Sequence, residues 1–286
     1  MESVVEVPLI VIEKVAFATE RERPVPAYGD LVRDALAALG PVDDIGGVIA
    51  ATFSNPERFP ALAVRVAAEL KLPPETPAFD VQMACSAYPY AVYLAGRLAA
   101  DTGKRGLVVN GDGQSPLVDS TDHATGGIFS DAMTVSVVSS DPLSAEKSRF
   151  AFLSRADEAL TCSATGPIRM DGMKVFTFVA TEVKRFLELF VKAAADGRQP
   201  MPELFVPHQA NPYMVRQLAK GLGLAERLLT LDPALRNPGS CSVPLTLATN
   251  RDRIPSGGAT VLIAGFGAGY SAAVGAVKVL AWGTDR

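Results

Sequence analysis

Ala78-Phe79-Asp80-Val81-Gln82-Met83-Ala84-Cys85-Ser86-Ala87 is the stretch from which the rest of the chain can be read. The apolar run 78–83 has the composition of a buried strand, and 86–100 continues as a long apolar helix, so Cys85 falls at a strand-to-helix junction. Working back toward the N-terminus, Val- and Ile-rich runs predict strands near 4–12 and 48–53. They alternate with helices near 28–39, stopped by Gly40, and 61–70, which ends before Pro73-Pro74. Working forward, strands are expected at 106–111 and 135–138. A long amphipathic helix over 172–195 follows, then a strand at 204–206, helices at 212–222 and 240–250, and strands at 260–264 and 270–280. Strands separated by helices of about ten or more residues predict βαβ units and mainly parallel sheets, so the class is α/β.

Composition narrows the function. The 286 residues are 48% hydrophobic and 20% charged, which places the chain among globular proteins and away from disordered ones. A net charge of −4 offers no general basic field for a nucleic-acid backbone, so none is expected as a partner. Three cysteines with no CxxC pair suit a reducing compartment and argue against a disulfide framework or a structural zinc; no metal is expected. The start Met1-Glu2-Ser3-Val4-Val5-Glu6 lacks the basic region of a signal peptide, and no apolar run is long enough for a bilayer span. A cytoplasmic location away from membranes is the expectation.

The chain repeats one spacing. Cys85 precedes an apolar helix and then the strand that begins at Leu107, 22 positions on; Gly239, beside Asn237 and Ser240, precedes another apolar helix and the strand that begins at Val261, again 22 positions on. This hints at duplication, although any helix-to-strand unit has such a length.

Few residues are suited to chemistry. Free backbone amides and the positive end of a helix dipole at Cys85 would favour a thiolate and depress the thiol pKa; taken alone, a buried cysteine is simply a small hydrophobe. His208, in Phe205-Val206-Pro207-His208-Gln209-Ala210-Asn211-Pro212, lies at the end of a predicted strand, where ligands bind in α/β sheets. His123, among the turn formers 119–125, reads as a solvated loop residue. Asn237 stands before Pro238-Gly239-Ser240 and by itself would be a turn or cap residue. A thiol with two fixed hydrogen-bond donors is nevertheless a working set for thioester chemistry. Gly265-Phe266-Gly267-Ala268-Gly269 follows a strand too near the C-terminus to open a dinucleotide-binding unit; a bend that brings backbone N–H groups to a ligand fits better.

The string around Cys85, the box His208-Gln209-Ala210-Asn211, Asn237 with Ser242-Val243-Pro244, and Phe266-Gly267-Ala268-Gly269 together resemble the β-ketoacyl-acyl-carrier-protein synthase III family of the thiolase superfamily. The resemblance covers nearly the whole chain with the motifs in order. It implies a thiolase-like five-layer αβαβα fold from two pseudo-repeated halves, 1–143 carrying the cysteine and 144–286 carrying histidine and asparagine, usually as a homodimer. It implies decarboxylative Claisen condensation of an acyl thioester with malonyl-acyl carrier protein. Cys85 would be the acylated nucleophile, His208 and Asn237 donors to the malonyl thioester oxygen, and the backbone amides of Cys85 and Ala268 the oxyanion hole. Phe59, Phe266 and Asn211 would line the substrate pocket, with Phe59 reaching the partner subunit, and acyl carrier protein would be a partner. No cofactor is expected beyond the acyl-CoA or acyl-carrier thioester substrate.

The chain also departs from the family. The longer segment whose Trp and Arg clamp the adenine of coenzyme A is missing between Phe17 and Pro24, and the one tryptophan is Trp282; this points to a carrier-bound or other small thioester donor. Tyr213 replaces the carrier-docking arginine, while Arg216 and Lys220, four apart on one helix, offer positive charge to an acidic carrier, though such residues are commonly just solvated. Arg236 stands where glycine is common, and Cys162 and Cys241 read as inert fillers. Two alternatives stay open: an auxiliary, non-catalytic subunit, and transfer to an oxygen or nitrogen acceptor. A papain-like order of Cys, His and Asn lacks the supporting sequence, and there is no Gly-x-Ser-x-Gly elbow for a serine hydrolase.

Overall fold

The computed structural model describes residues 4–20, 28–163, 166–193 and 201–283. The N-terminal elements are β1 (Val5–Thr19), α1 (Tyr28–Leu39), β2 (Ile45–Ala51), α2 (Leu62–Glu69), β3 (Ala78–Val81), α3 (Ala87–Thr102), β4 (Arg105–Asp112) and β5 (Ala132–Asp141). Then come β6 (Lys147–Ser154), the small hairpin β7 (Leu160–Thr161) and β8 (Arg169–Met170), α4 (Gly172–Phe178) and α5 (Lys184–Ala193). The chain closes with β9 (Leu204–Pro207), α6 (Pro212–Gly221), α7 (Ser242–Thr249), β10 (Ala259–Gly267) and β11 (Ser271–Val279).

Period-two alternation builds the layers. In β2, Ile49 and Ala51 join a central apolar cluster while Val48 and Ala50 join an outer one under α1 and α2. In β10, Val261 and Ile263 face the same centre while Leu262 and Ala264 face the other outer layer, under α4, α5 and α6. Strands apolar on both faces must be covered on both, and the centre is filled by α3 and α7. The result is helices, sheet, central helices, sheet, helices. Strand order is β3-β2-β4-β5-β1-β6-β11-β10-β9, with β1 joining the two halves by pairing β5, β6 and, in parallel, β11.

Central helices packed from both sides require small residues. Ala87, Ala91, Ala95 and Ala99 repeat at i, i+4 along α3 and are buried, and Ile10 presses so closely on Gly96 that a methyl there would meet it at 2.2 Å. Tyr88, wholly buried, keeps its hydroxyl satisfied 3.0 Å from Ser136 Oγ.

Several expectations are corrected. The sheet is mixed: β2–β3, β2–β4, β9–β10 and β1–β11 are parallel, whereas β4–β5, β1–β5, β1–β6, β6–β11 and β10–β11 are antiparallel. The cause is local, since β4 to β5 and β10 to β11 are joined without a crossover helix. β3 is an edge strand with Phe79 and Asp80 exposed, not a buried one; the Asp80 carboxylate accepts from the N–H groups of Leu62 and Ala63 and caps α2. The single helix predicted over 172–195 is α4 and α5 joined through a π-turn, Val179–Val183, and residues 194–195 lie outside the described residues. β6 was not predicted, and β1 runs seven residues beyond the expected 12. No helix among the described residues is long and apolar enough to cross a membrane.

Candidate active site

Two 3-10 turns, Ala84–Ser86 and Gly239–Cys241, open the central helices α3 and α7 and meet between the two halves of the sheet. Ala84 holds the first turn with a left-handed φ of 42°, unusual for a residue with a side chain. Cys85 therefore sits on the turn rather than in the first turn of α3, and is 6% exposed. The strand β10 presses on this turn through two glycines. A methyl on Gly265 would lie 2.8 Å from Ser86 Cα, and one on Gly267, whose φ is 154°, would lie 2.9 Å from Cys85 Cβ. That approach brings the backbone N–H of Ala268 into a hydrogen bond with the Cys85 sulfur, alongside the N–H of Cys85 itself. Ser86 Oγ, 2.7 Å from Ser271 Oγ, ties the turn to β11.

His208 follows the end of β9 and is 2% exposed; its backbone N–H donates to Ala264 O at 2.7 Å, continuing the ladder with β10. The ring stands edge-on to Phe266, centroids 5.5 Å apart. Its Nδ1 lies 2.8 Å from Ser242 Oγ, and the ring also hydrogen-bonds the Gly239 backbone. Burial pushes the imidazole down from 6.5 to about 4, so at neutral pH it is uncharged. Asn237, 7% exposed, is fixed at both levels. Its backbone N–H donates to Ile128 O, and its Oδ1 accepts from Gly239 N–H at 3.0 Å, leaving the NH2 end as donor. Gly239 thus joins histidine to asparagine, and the Phe266-to-Ala268 run joins histidine to cysteine: the three side chains gather where the two turns and the end of β10 converge.

The thiol differs from expectation. Burial first, and then the buried carboxylate of Asp112, push Cys85 up to about 12 against the smaller downward pull of the two amides. The resting sulfur is a thiol. The turn supplies hydrogen bonds to it but does not outweigh its removal from water.

Other predicted residues fall around this centre. Phe266 is 1% exposed, against His208. Asn211 is on the surface and caps α6, its Oδ1 accepting from Tyr213 and Met214 N–H. Phe59 is 84% exposed, on the loop between β2 and α2. Arg216 and Lys220 are exposed on α6. Lys220 also lines a groove of about 460 Å³ with Phe176, Lys184 and Met214, which none of Cys85, His208 and Asn237 enters. His123 is exposed. Cys241 is wholly buried, whereas Cys162 is exposed and so is no core filler. Arg236, with φ 52°, forms an ion pair with Glu20 and so braces the backbone beside Asn237. Sequence reasoning missed Asp112, whose partners are some 60 positions away, and Ser242 as the support of His208. No group of three His, Cys, Asp or Glu among the described residues can hold a metal.

Comparison with known proteins gives the family and the fold. Residues 79–157 match the family model for 3-oxoacyl-[acyl-carrier-protein] synthase III, and 201–279 match that for its C-terminal part. β-Ketoacyl-[acyl-carrier-protein] synthase III of Rhodospirillum rubrum is 31% identical over 276 residues, covering 89% of this chain and 84% of that protein. The chain belongs to the 3-oxoacyl-[acyl-carrier-protein] synthase III family. A solved 3-oxoacyl-(acyl-carrier protein) synthase from Burkholderia xenovorans LB400 superposes with a TM-score of 0.82 at 26% identity, over 97% of this chain and 96% of its own. The priming β-ketosynthase of the R1128 polyketide pathway, at 23% identity, has the same fold with a TM-score of 0.78 over 97% and 99% of the two chains. The five-layer architecture is that of the synthase III structures, and the chain is a synthase III-like enzyme; the auxiliary-subunit alternative is not favoured.

Proposed function

We propose that this enzyme condenses an acyl thioester with malonyl-acyl carrier protein, releasing CO2 and giving a 3-ketoacyl thioester. The observation that carries the assignment of roles is the convergence on Cys85 of two backbone N–H groups, its own and that of Ala268, beside two side-chain donors joined through Gly239. In the first step Cys85 sulfur attacks the acyl carbonyl, the two amides hold the oxyanion, and the donor leaves as a thiol with the proton from Cys85. In the second, neutral His208 and the Asn237 NH2 hydrogen-bond the malonyl thioester oxygen. The carbon–carboxylate bond breaks and CO2 departs; the enolate then attacks the acyl carbon as the carbon–sulfur bond to Cys85 breaks, and the expelled thiolate takes up a proton from solvent to restore the thiol. An uncharged imidazole suits this role, because it donates an N–H without adding a cation that would hold the malonyl carboxylate in place.

We take residues 1–143 and 144–286 as the two halves that contribute the nucleophile and the donors. Acyl carrier protein would approach α6, where Lys220 and the nearby Lys184 line an apolar groove and Arg216 is exposed on the same helix. The exposed Phe59 and the unpaired edge β3 with Phe79 suit a second copy of the chain, giving a homodimer. The reaction calls for no resident cofactor, and a carrier-bound acyl donor fits the short link after β1, whose residues 21–27 lie outside the described ones. We place the enzyme in the cytoplasm. The test is CO2 release from malonyl-acyl carrier protein: wild type should release CO2 and form the 3-ketoacyl product, and Asn237→Ala should lose both. Equal release by the variant would remove Asn237 from the reaction.

A further inference from the structure

The two backbone amides at the Cys85 sulfur belong to separate segments. One is on the turn Ala84–Ser86; the other, that of Ala268, is on the three-residue link between β10 and β11. For both to act on one oxygen, the distance between the segments must be fixed. The close approach of Gly265 and Gly267 to the turn limits how near the segments come, but packing contacts resist separation only weakly. A directed attraction is needed to keep them from parting.

Two buried hydroxyls span the gap. Ser86, wholly buried and next to Cys85, has its Oγ 2.8 Å from Met83 O and 2.7 Å from the Oγ of Ser271. Ser271, buried as the first residue of β11, has its Oγ 3.0 Å from Ala268 O. Two hydroxyl protons serve these three contacts. Met83 O already accepts the Ser86 N–H at 3.1 Å, so the arrangement that supplies both carbonyls runs from Ser86 Oγ–H to Ser271 Oγ, and from Ser271 Oγ–H to Ala268 O. The other end of the link is held elsewhere: Tyr270 stacks on Phe178 of α4, centroids 4.1 Å apart, and its carbonyl accepts from Arg155 N–H at 2.9 Å. The serine pair ties the link to the turn that carries Cys85.

We propose that Ser86 and Ser271 are positioning residues for the oxyanion hole: their hydroxyl chain fixes the Ala268 amide relative to that of Cys85, so that both N–H groups meet the carbonyl oxygen of the acyl group. A chain of hydroxyls in a low-dielectric interior is cooperative, and cutting it at either member releases the same link. His208 and Asn237 are held through Gly239 on the other turn and do not depend on it. The pair therefore serves the acyl carbonyl and not the malonyl oxygen. The inference rests on the reading of Cys85 as the acylated nucleophile and adds to it the groups that set the geometry of its oxyanion hole.

The experiment separates the two steps in wild type, Ser86→Ala, Ser271→Ala and the double variant. Acylation of Cys85 by an acyl-carrier thioester is followed over time by mass spectrometry. CO2 release is then measured in a single turnover, after each protein has been fully acylated and mixed with malonyl-acyl carrier protein. Each single variant should acylate about tenfold more slowly, less than the roughly 10²- to 10³-fold cost of removing a donor outright, because the amide is displaced and not lost. The double variant should be at most about threefold slower than either single one, and CO2 release should stay within about threefold of wild type throughout. Parallel slowing of acylation and CO2 release would mark a general disturbance of the fold and overturn the inference. Acylation at the wild-type rate would overturn it too, as would single effects that multiply in the double variant. If one single variant does not fold, the other must show the same split between the steps. Wild type that fails to acylate would overturn the Cys85 reading and this inference with it.

Discussion

Cys85 and Cys241 occupy matching places, each on a 3-10 turn that opens a central helix, each buried, and each with its thiol pushed up by burial. Their neighbours differ. Cys241 is sealed under β5, its sulfur 3.8 Å from Thr134 Oγ1, whereas Cys85 meets the glycine-lined end of β10 and the amide of Ala268. One turn thus presents a sulfur to the site and the other presents a backbone that holds Asn237 and His208. The two turns are built alike, and the difference lies in what packs against each sulfur: the glycine-lined end of β10 against Cys85 and Thr134 of β5 against Cys241.

The sharpest way to break this comparison is to remove each sulfur in turn. Cys85→Ala should lower condensation by about 10⁴-fold or more, measured as 3-ketoacyl product, while Cys241→Ala should stay within a few-fold of wild type. Exchanging the second turn's contribution comes next. Asn237→Ala should slow CO2 release by about 10²- to 10³-fold, the usual worth of one donor at a developing oxyanion, with acylation of Cys85 little changed. Gly267→Ala forces a methyl to within 2.9 Å of Cys85 Cβ at a φ that side chains avoid, so it should slow acylation by about tenfold while circular dichroism still reports a folded protein.

Smaller effects are thermodynamic. Because the folded pKa of His208 lies below the unfolded value of 6.5, its contribution is intact above pH 6.5 and is lost as the pH falls toward about 4. The loss should approach about 3 kcal/mol in urea titrations of wild type, and His208→Gln should show a correspondingly flatter dependence over that range. Cys241→Ala should cost about 1 kcal/mol in the same measurement, as a small cavity under β5.

The layers were legible because the strands that form them are written as alternating or continuous apolar runs, and α1 spans the expected 28–39. Arg149 and Ser148 interrupt the apolar signal of β6, and only pairing with β1 and β11 makes that segment a strand. The parallel bias failed where a strand returns directly on its neighbour, as β11 does after three residues. At the site, residue types at junctions pointed to Cys85, His208 and Asn237, since turns and strand ends are local features. The charge of the thiol was not legible. It depends on burial and on Asp112, and the donors that steady Asp112 come from a loop far away in sequence.

Localising the acyl group tests the account most directly. After incubation with an acyl-carrier thioester and digestion, mass spectrometry should find the added acyl mass on the peptide containing Cys85 alone, and nowhere in Cys85→Ala. An adduct on Cys241 or Cys162, or acyl transfer that persists in Cys85→Ala, would contradict it.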